Sequence, residues 1–353
     1  MMSPNPASYG VPNDSVANEE ALELLLSEPS DQLVEALGRI QGDILVLGAG
    51  GKMGPTLARM ARRATDAANV DRRVIAVSRF SDSAVRQRLN DWGVDTHAGD
   101  LFDAAFVRSL PSVANVLYLV GVKFGTDGAQ ARTWAANAYL PGAVCEKFSE
   151  SRIVALSTGN VYGLVPTDAL GSREGDPVKP DGEYAMSALG RERVFEFFCC
   201  ERDIPLALIR LNYAVEMRYG VLVDLAHRVF AGESIPLETG YVNVIWQADA
   251  NEMILRSLEH VSTPPFVLNV TGPEKLACRE LGMKLGELLG RDAQFSGTES
   301  GDAFLSDSSR AIELFGPPRQ SAHDLLRRTA DWVARGLPTW DKPTHFEVRD
   351  GKF

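Results

Sequence analysis

The chain has 353 residues, of which 45% are hydrophobic and 24% are charged, and its formal net charge is −11. This composition is typical of a globular protein that is long enough for one large α/β domain or two smaller units. The acidic balance argues against nucleic acid or an anionic membrane as a partner. The sequence contains no run of about eighteen apolar residues, which a membrane span would require. The N-terminus also lacks the pattern of a signal peptide. We therefore expect a soluble, cytoplasmic protein.

The cysteines and histidines indicate neither a disulfide framework nor a metal site. None of the four cysteines forms a C-x-x-C pair, and the adjacent Cys199 and Cys200 lie in an apolar helical run. Both are expected to be buried thiols. The five histidines are scattered without the spacing of metal ligands, so we predict that the protein holds no metal.

The N-terminal part of the chain is predicted to be an extension in front of the main fold. Residues 1–17 are polar and rich in Pro and Ser, which is typical of a disordered segment. Two amphipathic helices are predicted next, one around 18–27 and another that begins at Ser30-Asp31. We assign residues 1–41 to this extension and expect it to pack on the sheet or on another subunit.

From residue 42 to residue 214 the sequence alternates between strand and helix patterns. The predicted strands cover 43–50, 73–79, 94–97, 115–122, 152–163 and 206–214. The predicted helices cover 53–68, 82–92, 133–150 and 184–201. Such alternation predicts an α/β fold with a doubly wound parallel (Rossmann) sheet. Residues 215–353 are less regular and predict a smaller C-terminal lobe that covers the substrate, with some segments returning to the Rossmann domain.

Three glycines form a candidate phosphate loop between the first of these strands and its helix. Gly48, Gly51 and Gly54 have the spacing G-x-x-G-x-x-G. Glycine permits a tight turn and a close approach to pyrophosphate, and a helix N-terminus offers free N–H groups. A flexible turn is the alternative, but the preceding strand and the following helix are the context that the motif requires. We predict a dinucleotide site that also includes Lys52 and Met53.

This glycine spacing resembles that of the extended short-chain dehydrogenase/reductase family, which includes NAD(P)-dependent sugar epimerases and dehydratases. The resemblance covers most of residues 42–272. "GDLFD" at 99–103 resembles the family's G-D-L-x-D stretch, which implies that Asp100, followed by Leu101, holds the adenine. The strand that ends in Arg210-Leu211-Asn212 resembles the family strand whose end lies beside the nicotinamide.

The resemblance also implies two catalytic residues. "ALSTGNVYG" resembles a family strand ending in S-S/T-x-x-V-Y-G and places Thr158 at the catalytic Ser/Thr position. Tyr184 lies 26 residues further on, a spacing that is typical of the family. In the family, this tyrosine is the proton donor or acceptor at the substrate oxygen, and the Ser/Thr binds the same oxygen.

The helix that carries the tyrosine departs from the family pattern at one position. "YAMSALGRERVFE" resembles Y-x-x-S-K-x-x-x-E-x-x-x-E, but Ala188 stands where the family has lysine. That lysine lowers the pKa of the tyrosine and holds the nicotinamide ribose. Arg191 is two turns beyond Tyr184 and is expected to be too far away. Lys123, after the fourth strand, is a candidate replacement; the alternative is a solvated loop lysine.

Two further regions bear on the cofactor. Val120 and Gly121 end the fourth strand, where the fold faces the cofactor, and Gly121, Gly125 and Gly128 suggest a loop shaped for close approach. At the end of the second strand, the acidic residue that selects NAD is absent, and Ser78-Arg79 stands there instead. An arginine suits a 2′-phosphate, so we favour NADP(H). NAD is the alternative, with Arg79 on the adenine or facing solvent.

We expect an NAD(P)-dependent epimerase/dehydratase-like enzyme that acts by hydride transfer on a carbohydrate-like hydroxyl or ketone. The alternative is a non-catalytic NADP(H)-binding sensor or interaction protein. No basic cluster in the C-terminal lobe offers a diphosphate grip, so a sugar or sugar acid is the expected substrate. Glu216, Arg218 and Tyr219 are candidate substrate contacts, unless they pair with one another. Relatives often dimerise through the tyrosine helix, so the resemblance implies a homodimer in which its apolar "VFEFFCC" stretch takes part; the alternative is that this stretch packs in the core.

Overall fold

The computed structural model describes residues 15–123, 128–349 and 351. The disorder expected for residues 1–14 and the loop role expected for Gly125 lie outside the described residues. The described part of the segment expected to be disordered, residues 15–17, is instead anchored. Ser15 Oγ donates to Asp331 Oδ2 at 2.9 Å, and the Val16 side chain is buried.

The centre of the molecule is a seven-stranded sheet in which every neighbouring pair of strands is parallel. Its strands, numbered in chain order, are β1 (Ile44–Leu47), β2 (Val74–Ser78), β3 (Asp95–Ala98), β4 (Asn115–Tyr118), β5 (Arg152–Thr158), β6 (Leu206–Leu211) and β7 (Phe266–Val270). Their spatial order is β7-β6-β5-β4-β1-β2-β3. Strands β2 and β3 are added on one side of β1, and the strands from β4 to β7 are added on its other side. This change of side leaves a crevice at the carboxyl ends of β1 and β4. The predicted Rossmann sheet is therefore confirmed.

Helices cover both faces of this sheet. Among the described residues they are α1 (Glu19–Leu26), α2 (Asp31–Arg39), α3 (Gly54–Ala67), α4 (Ser83–Asp91), α5 (Ala104–Ser109), α6 (Gln130–Trp134), α7 (Leu140–Lys147), α8 (Gly182–Arg202), α9 (Val221–Ala231), α10 (Gln247–Arg256), α11 (Cys278–Leu289), α12 (Ser309–Phe315) and α13 (Ala322–Ala334). A π-helical turn, Ala135–Tyr139, joins α6 to α7, and short 3-10 turns occur at Gly159–Tyr162 and Ser257–Glu259.

Within the described ranges, four short two-stranded pairs lie outside the main sheet. They join Val165–Pro166 to Asp302–Ala303, Ala214–Val215 to Ile245–Trp246, Ser234–Pro236 to Gln294–Ser296, and Tyr241–Val242 to Leu276–Ala277. β7 comes from the part of the sequence that was predicted to form the C-terminal lobe, but it pairs with β6 at the edge of the main sheet.

Alternate residues of the strands enter two separate cores. In β1, Ile44 and Val46 join one hydrophobic cluster, whereas Leu45 and Leu47 join the other. All four side chains are fully buried, as expected for a parallel sheet that helices cover on both faces. This continuous burial explains why the strands are uninterrupted apolar runs in the sequence.

The two N-terminal helices form as predicted and pack on this chain. Asn18 accepts a hydrogen bond from the Ala21 amide and Ser30 accepts one from the Leu33 amide, so each helix has a side-chain N-cap. Both helices contact α3 and α10, which lie on one face of the sheet. The extension therefore adds a layer to the helices that already cover the sheet.

The two adjacent cysteines differ in exposure. Cys199 is buried but Cys200 is exposed, so the expectation that both are buried is wrong for Cys200. Consecutive residues of an α-helix point about 100° apart, and at this position of α8 only one of them faces the sheet.

Candidate active site

The phosphate loop connects β1 to α3 at the crevice. Gly48 has a φ of +84°, and a Cβ atom at this position would lie 3.0 Å from the backbone of Leu119 and Val120. Only glycine combines this conformation with so close an approach to the end of β4. In the described structure, no side chain caps the N-terminus of α3 at Met53. Its first N–H groups can therefore serve an anion such as a pyrophosphate.

A cavity of about 300 Å³ lies on the β2 and β3 side of this loop. We call it the adenosine-side cavity. Eight of the predicted cofactor residues line it, namely Gly48, Gly51, Ser78, Arg79, Asp100, Leu101, Val120 and Gly121. Arg79 and Asp100 are exposed, and Asp100 Oδ1 accepts a hydrogen bond from the Phe102 amide at 3.0 Å.

A second cavity of about 400 Å³ lies on the other side of the loop, between the sheet and the C-terminal lobe. We call it the central cavity. It brings together all three predicted catalytic residues and the remaining predicted cofactor residues, namely Thr158, Tyr184, Lys123, Lys52, Met53, Gly54 and Asn212. Gly48, Gly51 and Gly121 line both cavities. One continuous crevice thus joins all the predicted site residues.

Thr158 ends β5 and begins the following 3-10 turn. Its Oγ1 accepts a hydrogen bond from the Asn160 amide at 3.2 Å and donates to Asn160 Oδ1 at 3.1 Å. The side chain is buried and lines the central cavity. Asn212, at the end of β6, donates from its amide to Asn243 Oδ1 and to the Phe304 carbonyl oxygen. Its amide is therefore engaged within the protein.

The tyrosine of the V-Y-G sequence, Tyr162, belongs to a buried polar network beneath the cavity. Its hydroxyl donates to Asn269 Oδ1 and accepts from Arg210 Nη1, both at 2.8 Å. Arg210 makes a two-pronged ion pair with Glu192 of α8. Burial raises the pKa of Tyr162 to about 12, although the charge of Arg210 opposes this. Tyr162 is therefore a neutral structural residue, and its network fixes α8 against β5 and β6.

The structure shows what surrounds position 188 of α8, where the family has a lysine. Ala188 is fully buried and packs in a small apolar cluster with Val161 and Tyr162. It does not line the central cavity, whereas Tyr184 and Arg191 do. Arg191, which was expected to lie too far from Tyr184 to replace the lysine, thus lines the same cavity as Tyr184. Its long side chain carries the guanidinium to the cavity wall.

The guanidinium of Arg191 is held rigidly against the end of β4. Nη1 donates to the Leu156 carbonyl oxygen at 2.8 Å and Nη2 donates to Asn137 Oδ1 at 2.7 Å. A Cβ atom at Gly121 would lie 2.6 Å from Nη2, so this close packing requires glycine. Arg191 Nε is buried without a hydrogen-bond partner among the described residues.

Asn137 connects these parts of the site from the π-helical turn. Its side chain bonds to the amide and carbonyl of Val122 and donates to Ser187 Oγ at 2.9 Å. Pro141 follows the turn and lacks the N–H that an α-helix would offer to the Asn137 carbonyl. The π-helical turn occurs at this point, and such turns are frequent at functional sites. The internal proline was the only sequence signal for this feature.

Two lysines approach the central cavity from different elements. Lys123 Nζ lies 5.8 Å from the centre of the Tyr184 ring, and burial lowers the pKa of Lys123 to about 8. Lys52 Nζ lies 3.1 Å from the centre of the Tyr219 ring. Burial lowers the pKa of Lys52 to about 7, with further lowering by the charges of Lys123 and Lys342 and opposition from Asp224.

Among the three candidate substrate contacts of the C-terminal lobe, only Tyr219 lines the central cavity. Glu216 and Arg218 pair with each other, since the Arg218 amide and Nε donate to Glu216 at 2.8 and 3.0 Å. Both are fully buried. The expectation of substrate contacts is therefore not met for these two residues.

The C-terminal tail, residues 335–349, completes the cavity. Thr344 lines it and donates from its amide to Asp224 Oδ2 at 2.8 Å. Trp340 stacks on Tyr219 with 5.9 Å between ring centres. These contacts could not be predicted from the sequence, because the tail has no periodic pattern that would indicate where it packs.

No helix within the described ranges is long and apolar enough to cross a membrane. No group of three or more His, Cys, Asp or Glu side chains in this part of the chain is arranged to hold a metal ion.

Comparison with known proteins identifies the relatives of this fold. The sequence profile of the NAD dependent epimerase/dehydratase family matches residues 44–215. UDP-glucuronic acid 4-epimerase from Bacillus cereus, solved with UDP-glucuronic acid and NAD, superposes with a TM-score of 0.69 and 17% identity, covering 84% of this chain and 100% of that one. UDP-glucose 4-epimerase from Thermotoga maritima, solved with UDP-glucose, superposes with a TM-score of 0.68 and 18% identity, covering 83% of this chain and 99% of that one. The dTDP-glucose 4,6-dehydratase from Streptomyces venezuelae, solved with NAD and TYD, superposes with a TM-score of 0.69 and 20% identity, covering 83% of this chain and 97% of that one.

No curated protein sequence matches the chain significantly. The structural similarities establish the fold, and the profile match confirms the resemblance expected from the glycine spacing. Residues 44–215, which include the phosphate loop and Tyr184, match the profile of the NAD dependent epimerase/dehydratase family.

Proposed function

We propose that the protein is an NAD(P)-dependent epimerase/dehydratase-type enzyme that acts on a carbohydrate-like hydroxyl or ketone. One observation carries the proposal: Thr158 and Tyr184 line the same cavity as the glycines of the phosphate loop. Solved relatives of the same fold contain NAD together with a sugar nucleotide or a nucleotide. A nicotinamide that extends from the loop into this cavity would therefore meet both side chains.

The crevice is suited to a dinucleotide. The Gly48 backbone leaves no room for a side chain, and the open N-terminus of α3 provides N–H donors for the pyrophosphate. We propose NADP(H) as the cofactor, because Arg79 and Ser78 line the adenosine-side cavity at the end of β2. A guanidinium can neutralise a 2′-phosphate and donate two hydrogen bonds to it. NAD(H) remains the alternative.

When bound, the nicotinamide supplies the group that accepts and returns hydride. The residues of the chain handle the accompanying proton. Tyr184 takes the proton from the substrate hydroxyl, or returns it to the ketone oxygen, while Thr158 binds the same oxygen. Lys123, 5.8 Å from the Tyr184 ring, stabilises the tyrosinate when it is charged. Arg191 contributes a fixed positive charge at the end of β4, because arginine does not lose its proton in proteins.

The Tyr184→Phe variant tests the proposal. Purified protein with NADP+ or NAD+ is mixed with a panel of sugars, sugar acids and polyols, and absorbance of the reduced nicotinamide is followed, with product analysis for internal hydride recycling. Turnover is expected to fall by about 10²- to 10⁴-fold, while cofactor affinity is kept. Tyr139→Phe, at a residue that is 65% exposed, is the matched control and should behave as the wild type.

The burial of Ala188 where the family has a lysine supports a second candidate, a non-catalytic NADP(H)-binding sensor or interaction protein. The same experiment separates the two. A sensor would bind the cofactor and show neither redox signal nor product, and Tyr184→Phe would leave its behaviour unchanged. That result would overturn the proposed enzyme.

A further inference from the structure

Arg191 is a buried cation that reaches the central cavity from α8. Its side chain is only 5% exposed, yet it lines this cavity together with Thr158 and Tyr184. Its Nη2 packs so closely against Gly121 that no Cβ atom fits there, and Gly121 lines both the adenosine-side cavity and the central cavity. The guanidinium therefore lies where the two cavities meet.

No ion pair within the described ranges involves the guanidinium of Arg191. Two of its N–H groups donate to neutral oxygen atoms, the Leu156 carbonyl oxygen and Asn137 Oδ1, and Nε has no hydrogen-bond partner in this part of the chain. Arg210 and Arg218 are buried to a similar degree, but each forms ion pairs with buried carboxylates. Because arginine does not lose its proton in proteins, the charge of Arg191 acts on the cavity with no carboxylate in contact.

A fixed positive charge distinguishes the two forms of a nicotinamide cofactor. The oxidised nicotinamide ring is a cation, whereas the reduced ring is neutral. A guanidinium repels the cationic ring, and the repulsion is stronger in a partly buried cavity than in bulk water. In our proposed function the ring enters the cavity that Thr158 and Tyr184 line, which is also the cavity that Arg191 lines. The hydrogen bonds from the guanidinium to Leu156 and Asn137 keep it from turning away.

We propose that Arg191 tunes the bound cofactor, because its charge makes the protein bind reduced nicotinamide more tightly than oxidised nicotinamide. The same charge favours oxidation of the substrate alcohol to a ketone. In that step the substrate carbon loses a hydride to the ring, which is reduced, and the hydroxyl loses its proton to Tyr184. This inference rests on the proposed function, because the ring lies near Arg191 only if the cofactor binds as proposed there.

Binding of oxidised and reduced cofactor by the full-length protein tests the inference. Calorimetry gives the dissociation constants of NADP+ and NADPH, and in parallel those of NAD+ and NADH. The measurement is made at pH 9, where Lys52 and Lys123 are mostly neutral because burial lowers their pKa values to about 7 and about 8. We expect the wild type to bind the reduced form about tenfold or more tightly than the oxidised form.

Two variants remove the charge of Arg191. Arg191→Met and Arg191→Gln should each lower the preference for the reduced form by about tenfold, and Arg191→Gln keeps a side chain that can form hydrogen bonds. Both should bind adenosine 2′,5′-bisphosphate and ADP as the wild type does, because these fragments lack the nicotinamide and report only that the crevice is folded. Arg193→Met, at an exposed arginine of α8 that pairs with Glu196, is the matched control and should keep the preference.

Equal affinity of the wild type for the two forms, or a preference that both Arg191 variants retain, would overturn the inference. A parallel loss of affinity for both forms and for the adenosine fragments would show instead that Arg191 only holds the crevice together. If the wild type binds neither form, the proposed function fails along with the inference. If it binds the reduced form preferentially and makes no product with any substrate, only the proposed function is contradicted.

Discussion

Position 188 illustrates how this chain departs from its family at the residue scale. Ala188 fills an apolar space beside Val161 and Tyr162, and the cation on this side of α8 comes three residues later, from Arg191. The carbonyl oxygen of Leu156 and the side-chain oxygen Oδ1 of Asn137 accept hydrogen bonds from that guanidinium and hold it in place. A fixed guanidinium supplies a charge that is constant with pH, whereas Lys123 titrates near neutrality. These two cations of the central cavity therefore differ in how their charge depends on pH.

Lys123→Met is expected to lower turnover by about 10- to 100-fold, because it removes a cation that lies 5.8 Å from the centre of the Tyr184 ring. The pKa of Lys123 is lowered to about 8 by burial. Its stabilisation of the tyrosinate is present below pH 8 and is lost as the pH rises through 8. The measurement is turnover from pH 6 to pH 10, with Lys284→Met as the control. If Lys123→Met changes neither the pH profile nor cofactor affinity, Lys123 is a bystander.

Arg79→Ala tests the choice of cofactor. We expect NADP+ affinity to fall by about tenfold or more, because a charge-assisted pair with the 2′-phosphate is lost. NAD+ affinity should stay within about twofold. Fluorescence titration of both nucleotides gives the ratio. Arg86→Ala, on α4 beside Thr96, is a nearby control that should change neither value; a parallel loss of both affinities in Arg79→Ala would argue against the role in 2′-phosphate recognition.

At the scale of elements, a buried ion network joins the N-terminal extension to the C-terminal lobe. Glu23 of α1 accepts from Arg218 Nη1 at 3.0 Å, and Glu216 accepts from Arg218 Nε at 3.0 Å. All three side chains are buried. Arg218 immediately precedes Tyr219, so α1 supports the turn that presents this ring to the central cavity. The extension is thereby coupled to the site although no residue of α1 lines it.

Arg218→Met should destabilise the protein by about 3–5 kcal/mol, because it leaves Glu216 buried without its ion-pair partner and Glu23 with only the longer pair to Arg88. The measurement is the free energy of unfolding in urea at pH 7. The deficit should shrink as the pH falls, because protonated carboxyl groups lose the uncompensated charge. Arg39→Met removes exposed pairs with Glu35 and Glu259 and should cost much less, because exposed ion pairs contribute little to stability. A similar, small cost for Arg218→Met would show that the buried network does not hold these elements together.

The sequence predicts the elements whose signals are local. The strand, glycine loop and helix around Gly48 are adjacent in the chain, and the resemblance to a family was sufficient to propose Thr158 and Tyr184. Tyr219 was among the candidate substrate contacts, whereas Arg191 and Thr344 were not predicted to line the cavity. The positions of these three side chains depend on the length of the Arg191 side chain, on how the C-terminal lobe packs and on the path of the tail, which has no periodic pattern. Such long-range packing leaves no spacing signal in a single sequence.

For the whole molecule, the exposed surface near α8 bears on assembly. Several large hydrophobic side chains are exposed on α6, the π-helical turn and α8, namely Trp134, Tyr139, Met186 and Phe197. These elements pack against one another and form a surface that we call the bundle face. Exposed apolar patches of this kind commonly mark interfaces. They support the proposed homodimer, in which the bundle faces of two copies meet about a twofold axis.

The double variant Tyr139→Glu/Phe197→Glu should convert a dimer to a monomer, because it places charges in the centre of an apolar contact. Size-exclusion chromatography with light scattering measures the mass. Phe230→Glu, at a residue of α9 that is 41% exposed, is the control and should leave the mass unchanged. A wild-type protein that is monomeric at every concentration tested would contradict the proposal.

The contribution of the C-terminal tail to the cavity has a consequence for the order in which the protein is made. The phosphate loop lies near residue 50, whereas Thr344 supplies one of the last parts of the cavity wall. Domains generally fold from the N-terminal side during synthesis, so a growing chain completes its nucleotide loop long before it can enclose a substrate. Proteolytic removal of the tail from the finished protein should likewise leave nucleotide binding in place while turnover is lost.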